Sequence, residues 1–357
     1  MKRLIITIIV LATIQNVRAC LMTKVVDNGH VWVGNNEDWT TPNNYIYTEH
    51  NNGGIGVVYF AYSDFNFLPQ GAVNTEGLVF DWLSTPTKNI QFNKDKPHEE
   101  GWARELLQSI MRTCSTVSEV EKILETKNLD FLNYSQIMFV DAKGKSIIIE
   151  GDSILQNNSD FSVCTNFTRS TTSLEDISCK RYKKANSLAE SNRYDGKELI
   201  RNILLETKQS SAHGATMFSQ IYDLKGLSIS LYLFHDFEHE MNLSIDSLVK
   251  QDTVISISSL FPKNKQFEAF AVEYNIARNA IDGISDVETL YELKHLLSLI
   301  ARNPKIKSMD FDIIEAGQKL ADRGEKEMVD ELIMFIRKEY TIGPGFEKAL
   351  ASLKRKS

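Results

Sequence analysis

Alternation of hydrophobic and polar residues dominates two parts of the chain and predicts β-strands there. The segment "LMTKVVDNGHVWVGNNEDW" contains two alternating stretches separated by "DNGH", which is typical of a tight hairpin turn. The segment "SQIMFVDAKGKSIIIEGD" has the same form, with "DAKG" as its turn. These patterns lie in two strand-rich blocks, 21–84 and 135–168, which we expect to form two layers of antiparallel sheet.

Helical periodicity predicts α-helices at about 100–113, 118–127, 180–190 and 195–207, while "SISLYLFHDF" alternates again and should return to a sheet. Beyond about residue 265 the sequence pattern changes from strands to helices. The segments "TLYELKHLLSLIA" and "DIIEAGQKLADRGEKEMVDELIMFIRKEY" are amphipathic helical patterns with few strand signals. The sequence therefore predicts an α+β fold with a C-terminal helical extension, which either caps the sheets or forms a partner or dimer surface.

The first nineteen residues have the layout of a signal peptide. "MKR" carries positive charge, "LIITIIVLATI" is apolar, and "QNVRA" is a short polar exit that ends in a small residue. The apolar run is short for a membrane span, and we expect no membrane-spanning segment in the mature chain. We therefore expect residues 1–19 to be removed, leaving a secreted or periplasmic protein that begins at Cys20.

Composition and net charge indicate which classes of binding partner are unsuited to the chain. The chain of 357 residues has 42% hydrophobic and 24% charged residues, which is ordinary for a globular protein. Its formal net charge is −7, and removal of Lys2, Arg3 and Arg18 leaves 37 basic against 47 acidic residues, a net charge of −10. That balance argues against nucleic acid as a main partner.

Four cysteines occur in the sequence, namely Cys20, Cys114, Cys164 and Cys179. In an oxidising compartment four cysteines allow two disulfides. If Cys20 is a free thiol, at least one of the other three is unpaired. A bridge between Cys164 and Cys179 is compatible with the sequence, but spacing does not establish it.

Cys20 itself has three interpretations. It is an ordinary strand residue, a lipidated cysteine that follows a signal peptide, or a nucleophile that cleavage exposes at the N-terminus. Arg18 fits a lipidation motif poorly. As an N-terminal residue, Cys20 would carry a thiol and an α-amine with a reference pKa of about 7.7–8.0, and the amine could act as the base for its own side chain. The hairpin brings Asp38 back toward Cys20, where a carboxylate could orient that amine.

Cys20, the hairpin and "GNNEDW" together resemble the start of the choloylglycine hydrolase and penicillin V acylase superfamily. Its wider relatives are the acyl-CoA:6-aminopenicillanate acyltransferases and the acid ceramidase group. These are N-terminal nucleophile hydrolases that cleave linear amides. The resemblance implies a four-layer αββα sandwich for residues 20–265, with residues 266–357 as the helical extension.

The resemblance also implies four catalytic residues. Cys20 is the expected nucleophile, and Asp38 is expected to hold its α-amine. "VCTNF" matches the family's threonine-asparagine and makes Asn166 the expected side-chain donor to the oxyanion. "DISCKRYKKANSL" places the family's active-site arginine on Arg181.

Two substrate-binding positions depart from the family pattern. In "GAVNTEGLVFDWLSTP" the oxyanion-hole or substrate-facing position falls on Ser84, where asparagine or tyrosine is more usual. In "GNNEDW" the family's arginine is replaced by Asn35, which removes a permanent cation from beside the thiol.

The function expected from these residues is hydrolysis of a small-molecule N-acyl amide through a thioester, with no metal and no organic cofactor required. Bile-salt conjugates, penicillin V, acyl-homoserine lactones and N-acyl amino acids all remain open as substrates. An acyltransferase of the same fold and a lipid-anchored binding protein remain the alternatives, and a homo-oligomer is open. A zinc site at "HDFEH" is disfavoured because the preceding residues alternate as a strand, which extends His235 and His239 along it.

Overall fold

The computed structural model describes residues 20–50, 53–86, 88, 90–97, 103–191, 193–211, 214–302, 310–340 and 344–356. The predicted signal peptide, residues 1–19, lies outside the described residues. None of the described helices is both long and apolar enough to cross a lipid bilayer.

Strands dominate the first two thirds of the described chain and form two antiparallel sheets. In chain order they are β1 (Leu21–Asp27), β2 (His30–Trp39), β3 (Asn44–Glu49), β4 (Val57–Tyr62), β5 (Leu68–Asn74), β6 (Val79–Ser84), β7 (Ser135–Val140), β8 (Ser146–Ile149), β9 (Ile154–Asn157), β10 (Phe161–Cys164), β11 (Ser210–Ser211), β12 (Gly214–Asp223), β13 (Ser228–Leu233), β14 (Met241–Ser244) and β15 (Thr253–Ser256). The first sheet has the order β10-β1-β2-β12-β13-β14, with β11 paired to β12, and the second has the order β15-β3-β4-β5-β6-β7-β8-β9. The two predicted sheet layers are confirmed, although each strand-rich block supplies strands to both sheets.

The helices follow the predicted positions and continue through the C-terminal part. They are α1 (Ala103–Thr113), α2 (Val117–Leu124), α3 (Lys180–Glu190), α4 (Gly196–Thr207), α5 (Ile245–Leu248), α6 (Lys265–Ile284), α7 (Leu290–Ala301), α8 (Asp310–Asp322), α9 (Lys326–Glu339) and α10 (Pro344–Lys356). Short 3₁₀ turns occur at Ser63–Phe65, Asp130–Tyr134 and Ile257–Leu260.

The first hairpin forms because Asn28 and Gly29 adopt positive φ angles of 48° and 79°. Asparagine and glycine tolerate this region, and a two-residue turn of this kind matches the twist of the flanking strands. The resulting register pairs Leu21 with Asn36 and Asp27 with His30. The end of β2 is thereby fixed beside the start of β1.

Three apolar layers hold the sandwich together. Side chains between the sheets form one core, for example Met22, Phe60 and Met138. A second core lies where α1 and α2 pack on the outer face of the second sheet, and a third lies where α3 and α4 pack on the outer face of the first. The order helix, sheet, sheet, helix is the four-layer αββα arrangement that the family resemblance implied.

Gly34 allows α4 to approach β2 closely. A Cβ atom at this position would lie 2.3 Å from Ile200 Cγ2 and 3.2 Å from Leu204 Cδ1, well inside normal contact. The strand contributes no side chain at this point, and Ile200 and Leu204 of α4 pack directly on its backbone. This contact fixes the layer that carries Arg181 relative to the strand that carries Asp38.

The C-terminal helices continue the core that lies between the sheets. Phe267 and Phe270 of α6 pack against Phe234 at ring distances of 5.8 and 5.4 Å, just after β13. The Tyr274 hydroxyl donates to Asp64 Oδ2 at 2.7 Å. Buried residues of α7 to α10 belong to the same cluster. The extension therefore packs on one end of the sandwich.

All four cysteines are free thiols in the structure. The bridge between Cys164 and Cys179 that the sequence left open is not formed. The Thr165 hydroxyl instead donates to Cys179 Sγ at 3.3 Å.

Candidate active site

The alternation of side chains along β2 sorts its polar residues onto two faces. Asn36 faces outward, where its amide donates to the carbonyl of Leu204 at 3.0 Å and to Thr207 Oγ1 at 3.2 Å. Asn35 and Glu37, one residue to either side, face the second sheet. Asp38 returns to the helical side. The candidate site therefore occupies both faces of the first sheet at the end of β2.

Cys20 lies immediately before β1, and the hairpin register places it beside Glu37. Its Sγ lies 3.5 Å from Glu37 Oε1 and 3.9 Å from the carbonyl oxygen of Asp38. Only 4% of the residue is exposed. Burial raises the pKa of the Cys20 thiol well above its usual value, and the nearby carboxylates of Glu37 and Asp81 raise it further. The enclosed thiol therefore needs a proton acceptor before it can react.

Arg181, at the start of α3, connects the other three predicted catalytic residues. Its Nη1 donates to the carbonyl oxygen of Cys20 at 3.0 Å and to Asp38 Oδ2 at 3.2 Å. Its Nη2 donates to Asn166 Oδ1 at 2.6 Å. The guanidinium thus fixes the backbone of Cys20, the Asp38 carboxylate and the Asn166 amide in one frame. Charge-assisted bonds of this kind are stronger and more directional than neutral ones.

Asp38 is held by two further donors. Gln209 Nε2 donates to its Oδ2 at 2.7 Å, and the Thr216 hydroxyl donates to its Oδ1. The strand β12 has a bulge between Thr216 and Phe218, opposite Asp38 and Glu37. Bulges commonly redirect side chains beside functional sites. Burial raises the pKa of Asp38 to about 6, although Arg181 and these hydrogen bonds oppose the rise.

Asn166 follows β10, which pairs with β1 and so brings it to the N-terminal side of the site. Its Nδ2 donates to the backbone carbonyl of Ser84 at 2.7 Å. Ser84 ends β6 in the second sheet and meets the site through its main chain. The predicted roles of Asn166 and Ser84 toward a substrate remain predictions.

An acidic cluster on the inner face is the feature that the sequence analysis missed. Asn35 Nδ2 donates to Asp81 Oδ1 at 2.7 Å and to Glu37 Oε2 at 3.2 Å, and the Tyr62 hydroxyl donates to Glu37 Oε1. Asn35 is fully buried, so at this position an amide bridges two carboxylates where the family pattern has an arginine. Its predicted role toward the substrate remains a prediction. The alternation in "GNNEDW" would have placed Glu37 beside Asn35, but nothing local indicated Asp81.

Burial dominates the ionisation of this cluster. It raises the pKa of Glu37 to about 7, against the hydrogen bonds from Tyr62 and Asn35. It also raises the pKa of Asp81 well above its usual range, and the charges of Glu37 and Asp38 add to that rise. The cluster therefore holds protons at a pH where exposed carboxylates are ionised.

Two groups of residues bear on metal binding. Cys20, Glu37 and Asp81 each place one potential ligand atom within 4.8 Å of the other two. In "HDFEH", β13 ends at Leu233, so the expectation that both histidines are extended along a strand is wrong. His235 lies in the following turn, where its Nε2 is 2.7 Å from the carbonyl of Gln209, and the Nδ1 of His239 is 2.8 Å from Asp236 Oδ2.

The four-layer αββα sandwich described above is also the fold of solved amide hydrolases. Two solved structures of the conjugated bile acid hydrolase from Clostridium perfringens, both single-residue variants, match this chain with a TM-score of 0.53 and 14% identity. They cover 69% of this chain and 98% and 97% of their own. Penicillin V acylase from Agrobacterium tumefaciens has a TM-score of 0.49 and 12% identity, over 66% of this chain and 90% of its own.

The structural similarity to the bile acid hydrolase confirms the fold that the sequence resemblance implied. No family model and no curated protein matches the chain. At these identities the comparison establishes the fold alone.

Proposed function

We propose that this chain is an exported amidohydrolase whose nucleophile is Cys20, exposed at the N-terminus when residues 1–19 are removed. The observation that carries the proposal is the bonding of Arg181 to the Cys20 carbonyl, Asp38 and Asn166. These bonds tie the backbone of Cys20, the carboxylate proposed to hold its amine and the proposed oxyanion donor to one guanidinium. The enclosed thiol also supports the nucleophile over a lipid anchor, because an acyl chain on Cys20 would have to leave a site that is 4% exposed.

The first step is attack of the Cys20 sulfur on an amide carbonyl. Cleavage after Ala19 would turn the backbone nitrogen of Cys20 into an amine, which accepts the thiol proton. Asp38 is suited to orient that amine, because one nitrogen of Arg181 contacts both Asp38 Oδ2 and the Cys20 carbonyl. The raised pKa of the thiol makes this base necessary.

The tetrahedral intermediate then needs a donor for its oxyanion. Asn166 is the candidate, since Arg181 and the carbonyl of Ser84 fix both ends of its amide. Loss of one such donor typically lowers kcat by about 10²–10³. Collapse of the intermediate breaks the C–N bond, the protonated amine of Cys20 gives its proton to the leaving nitrogen, and the acyl group stays on sulfur as a thioester.

Water attacks the thioester in the second step and releases a carboxylic acid and the free thiol. An acceptor amine in place of water would give the acyltransferase reaction of the same site. The substrate is a small N-acyl amide, and bile-salt conjugates, penicillin V, acyl-homoserine lactones and N-acyl amino acids are the series to test.

The test combines intact mass with an assay. Full-length chain is expressed with its leader, the exported fraction is collected, and the mass of its N-terminus is measured before a panel of N-acyl amides is screened for released amine. We expect a chain that begins at Cys20, loses activity with iodoacetamide, and is inactive as Cys20→Ala. Cys114→Ala is the matched control, because Cys114 lies in the outer core under α1 and α2.

Full activity in a chain whose Cys20 is lipidated, or is still preceded by the leader, would exclude this mechanism. A mature chain that releases no amine from any panel member, but forms amides from an acyl donor and an amine, would be the acyltransferase.

A further inference from the structure

Glu37 and Asp81 contribute nothing to the reaction described above, yet both lie at the nucleophile. They come from different sheets, Glu37 from β2 and Asp81 from β6. Glu37 and Asp81 are 1% and 2% exposed. Removing two carboxyl groups from water is costly unless a cation or protons compensate them. The structure places both groups beside a thiol, which is itself a metal ligand.

We propose that Cys20, Glu37 and Asp81 form a reversible zinc-binding site that holds the nucleophile inactive while the metal is bound. Zinc accepts sulfur, nitrogen and carboxylate oxygen as ligands, and a set of one thiolate and two carboxylates suits it better than it suits magnesium or calcium. The site uses neither histidine of "HDFEH".

The distances fit a zinc ion after small side-chain movements. Ligand bonds of about 2.0–2.3 Å at tetrahedral angles require ligand atoms roughly 3.4–3.6 Å apart. Cys20 Sγ and Glu37 Oε1 are already 3.5 Å apart. One oxygen of Asp81 lies within 4.8 Å of the other ligand atoms, so it needs to move by no more than about 1 Å.

Unpartnered acceptors provide a second observation. Asp81 Oδ2 and Asn35 Oδ1 are buried and have no hydrogen-bond partner among the described residues. The Asn35 amide lies between the two carboxylates, because its nitrogen donates to both. Buried acceptors without donors are uncommon, and each requires an explanation. A cation bound by Cys20, Glu37 and Asp81 would satisfy the free oxygen of Asp81.

Removal of the leader would strengthen the site, and this consequence rests on the proposed function. The α-amine of an N-terminal cysteine and its own sulfur can bind one ion together, and the amine would complete four ligands with Glu37 and Asp81. The thiol gives up its proton to solvent when the metal binds. An ion held in this way occupies both the nucleophile and its base, so a substrate and the metal exclude each other.

The experiment is a titration of the reduced, metal-free mature chain with Co²⁺, followed by competition with Zn²⁺. Cobalt bound to a thiolate gives a charge-transfer absorption in the near ultraviolet, which reports sulfur ligation without any substrate. We expect one equivalent to bind, with the band displaced by Zn²⁺. Asp81→Asn and Glu37→Gln should each weaken binding by about tenfold or more. Cys20→Ser should lose the band, whereas Cys114→Ser should keep it.

Three results would overturn the site: no thiolate band, a band that survives Cys20→Ser, or an affinity that neither carboxylate variant changes. Circular dichroism of each variant identifies any that fails to fold. If the carboxylate variants do not fold, the presence or absence of the thiolate band in Cys20→Ser decides whether the site exists. An active amidase without the band would refute the zinc site alone. A chain that gives the band but hydrolyses no amide would refute the proposed function alone.

Discussion

Replacement of Glu37 by glutamine should make the protein more stable at alkaline pH and slightly less stable at acid pH. The side chain is 1% exposed, and burial raises its pKa from 4.5 to about 7. Because the folded value lies above the unfolded one, the folded state binds more protons between pH 4.5 and 7. The stability that Glu37 contributes is therefore fully present below pH 4.5 and is lost as the pH rises through 7.

The size of the effect follows from the same values. At roughly 1.4 kcal/mol per pH unit, the window from 4.5 to about 7 corresponds to about 3 kcal/mol of unfolding free energy. Glutamine cannot ionise, so the variant escapes that loss. The glutamine oxygen can still accept from the Tyr62 hydroxyl. Its NH2 group would face the NH2 group of Asn35, and loss of that hydrogen bond costs about 1 kcal/mol of unfolding free energy. We expect a loss of about 1 kcal/mol at pH 4 and a gain of about 2 kcal/mol at pH 8.

Urea unfolding at pH 4 and pH 8, in the presence of a reductant and a chelator, measures this difference. Glu150→Gln is the control, because Glu150 is equally buried but accepts backbone N–H bonds from Arg169 at 2.5 Å and Ser170 at 2.8 Å. It should lose stability at both pH values. Equal effects of Glu37→Gln at pH 4 and pH 8 would show that the pKa of Glu37 is not raised by burial.

Three further changes test the site and its supports. Asn166→Ala should lower kcat by about 10²-fold with the fold intact by circular dichroism, and near-normal turnover would remove Asn166 from the mechanism. Gly34→Ala should lower the free energy of unfolding by about 1–3 kcal/mol, because the new Cβ meets Ile200 Cγ2; an unchanged denaturation midpoint would contradict that clash. Deletion of residues 285–357 should expose Ile281 and Ile284 on α6 and reduce solubility, which sedimentation and dye binding would measure. A truncated chain as soluble and stable as the full one would show that the extension neither caps the sandwich nor forms an interface.

The sequence was sufficient wherever a short pattern decided the structure. The turn "DNGH" specifies a two-residue hairpin because its central residues accept positive φ, and that turn fixes the register of β1 and β2. The proximity of Asp38 to Cys20 then follows from the register alone. Helix positions were also predictable from periodicity, with ends that differ from the predicted ones by a few residues.

Alternation along β2 predicts which of its residues share a face. Only the positions of the second sheet and of the helices show what each face contacts. Alternation separates Glu37 from Asp38, yet it does not say which face meets Arg181 and which meets Asp81. The packing of α4 against Gly34 shows which face lies toward the helices, and Asn36 and Asp38 alternate onto that same face.

Only the tertiary structure decided the groups that meet across long stretches of chain. Arg181 contacts residues far from it in sequence, Asn166 meets the carbonyl of Ser84 in the other sheet, and Asp81 meets Asn35 and Glu37 through the space between the sheets. No local pattern encodes such contacts, because they depend on how two sheets stack and on where loops return. The sequence by itself thus determined the position of Cys20 and its hairpin, and the stacking of the layers determined the charged groups around Cys20.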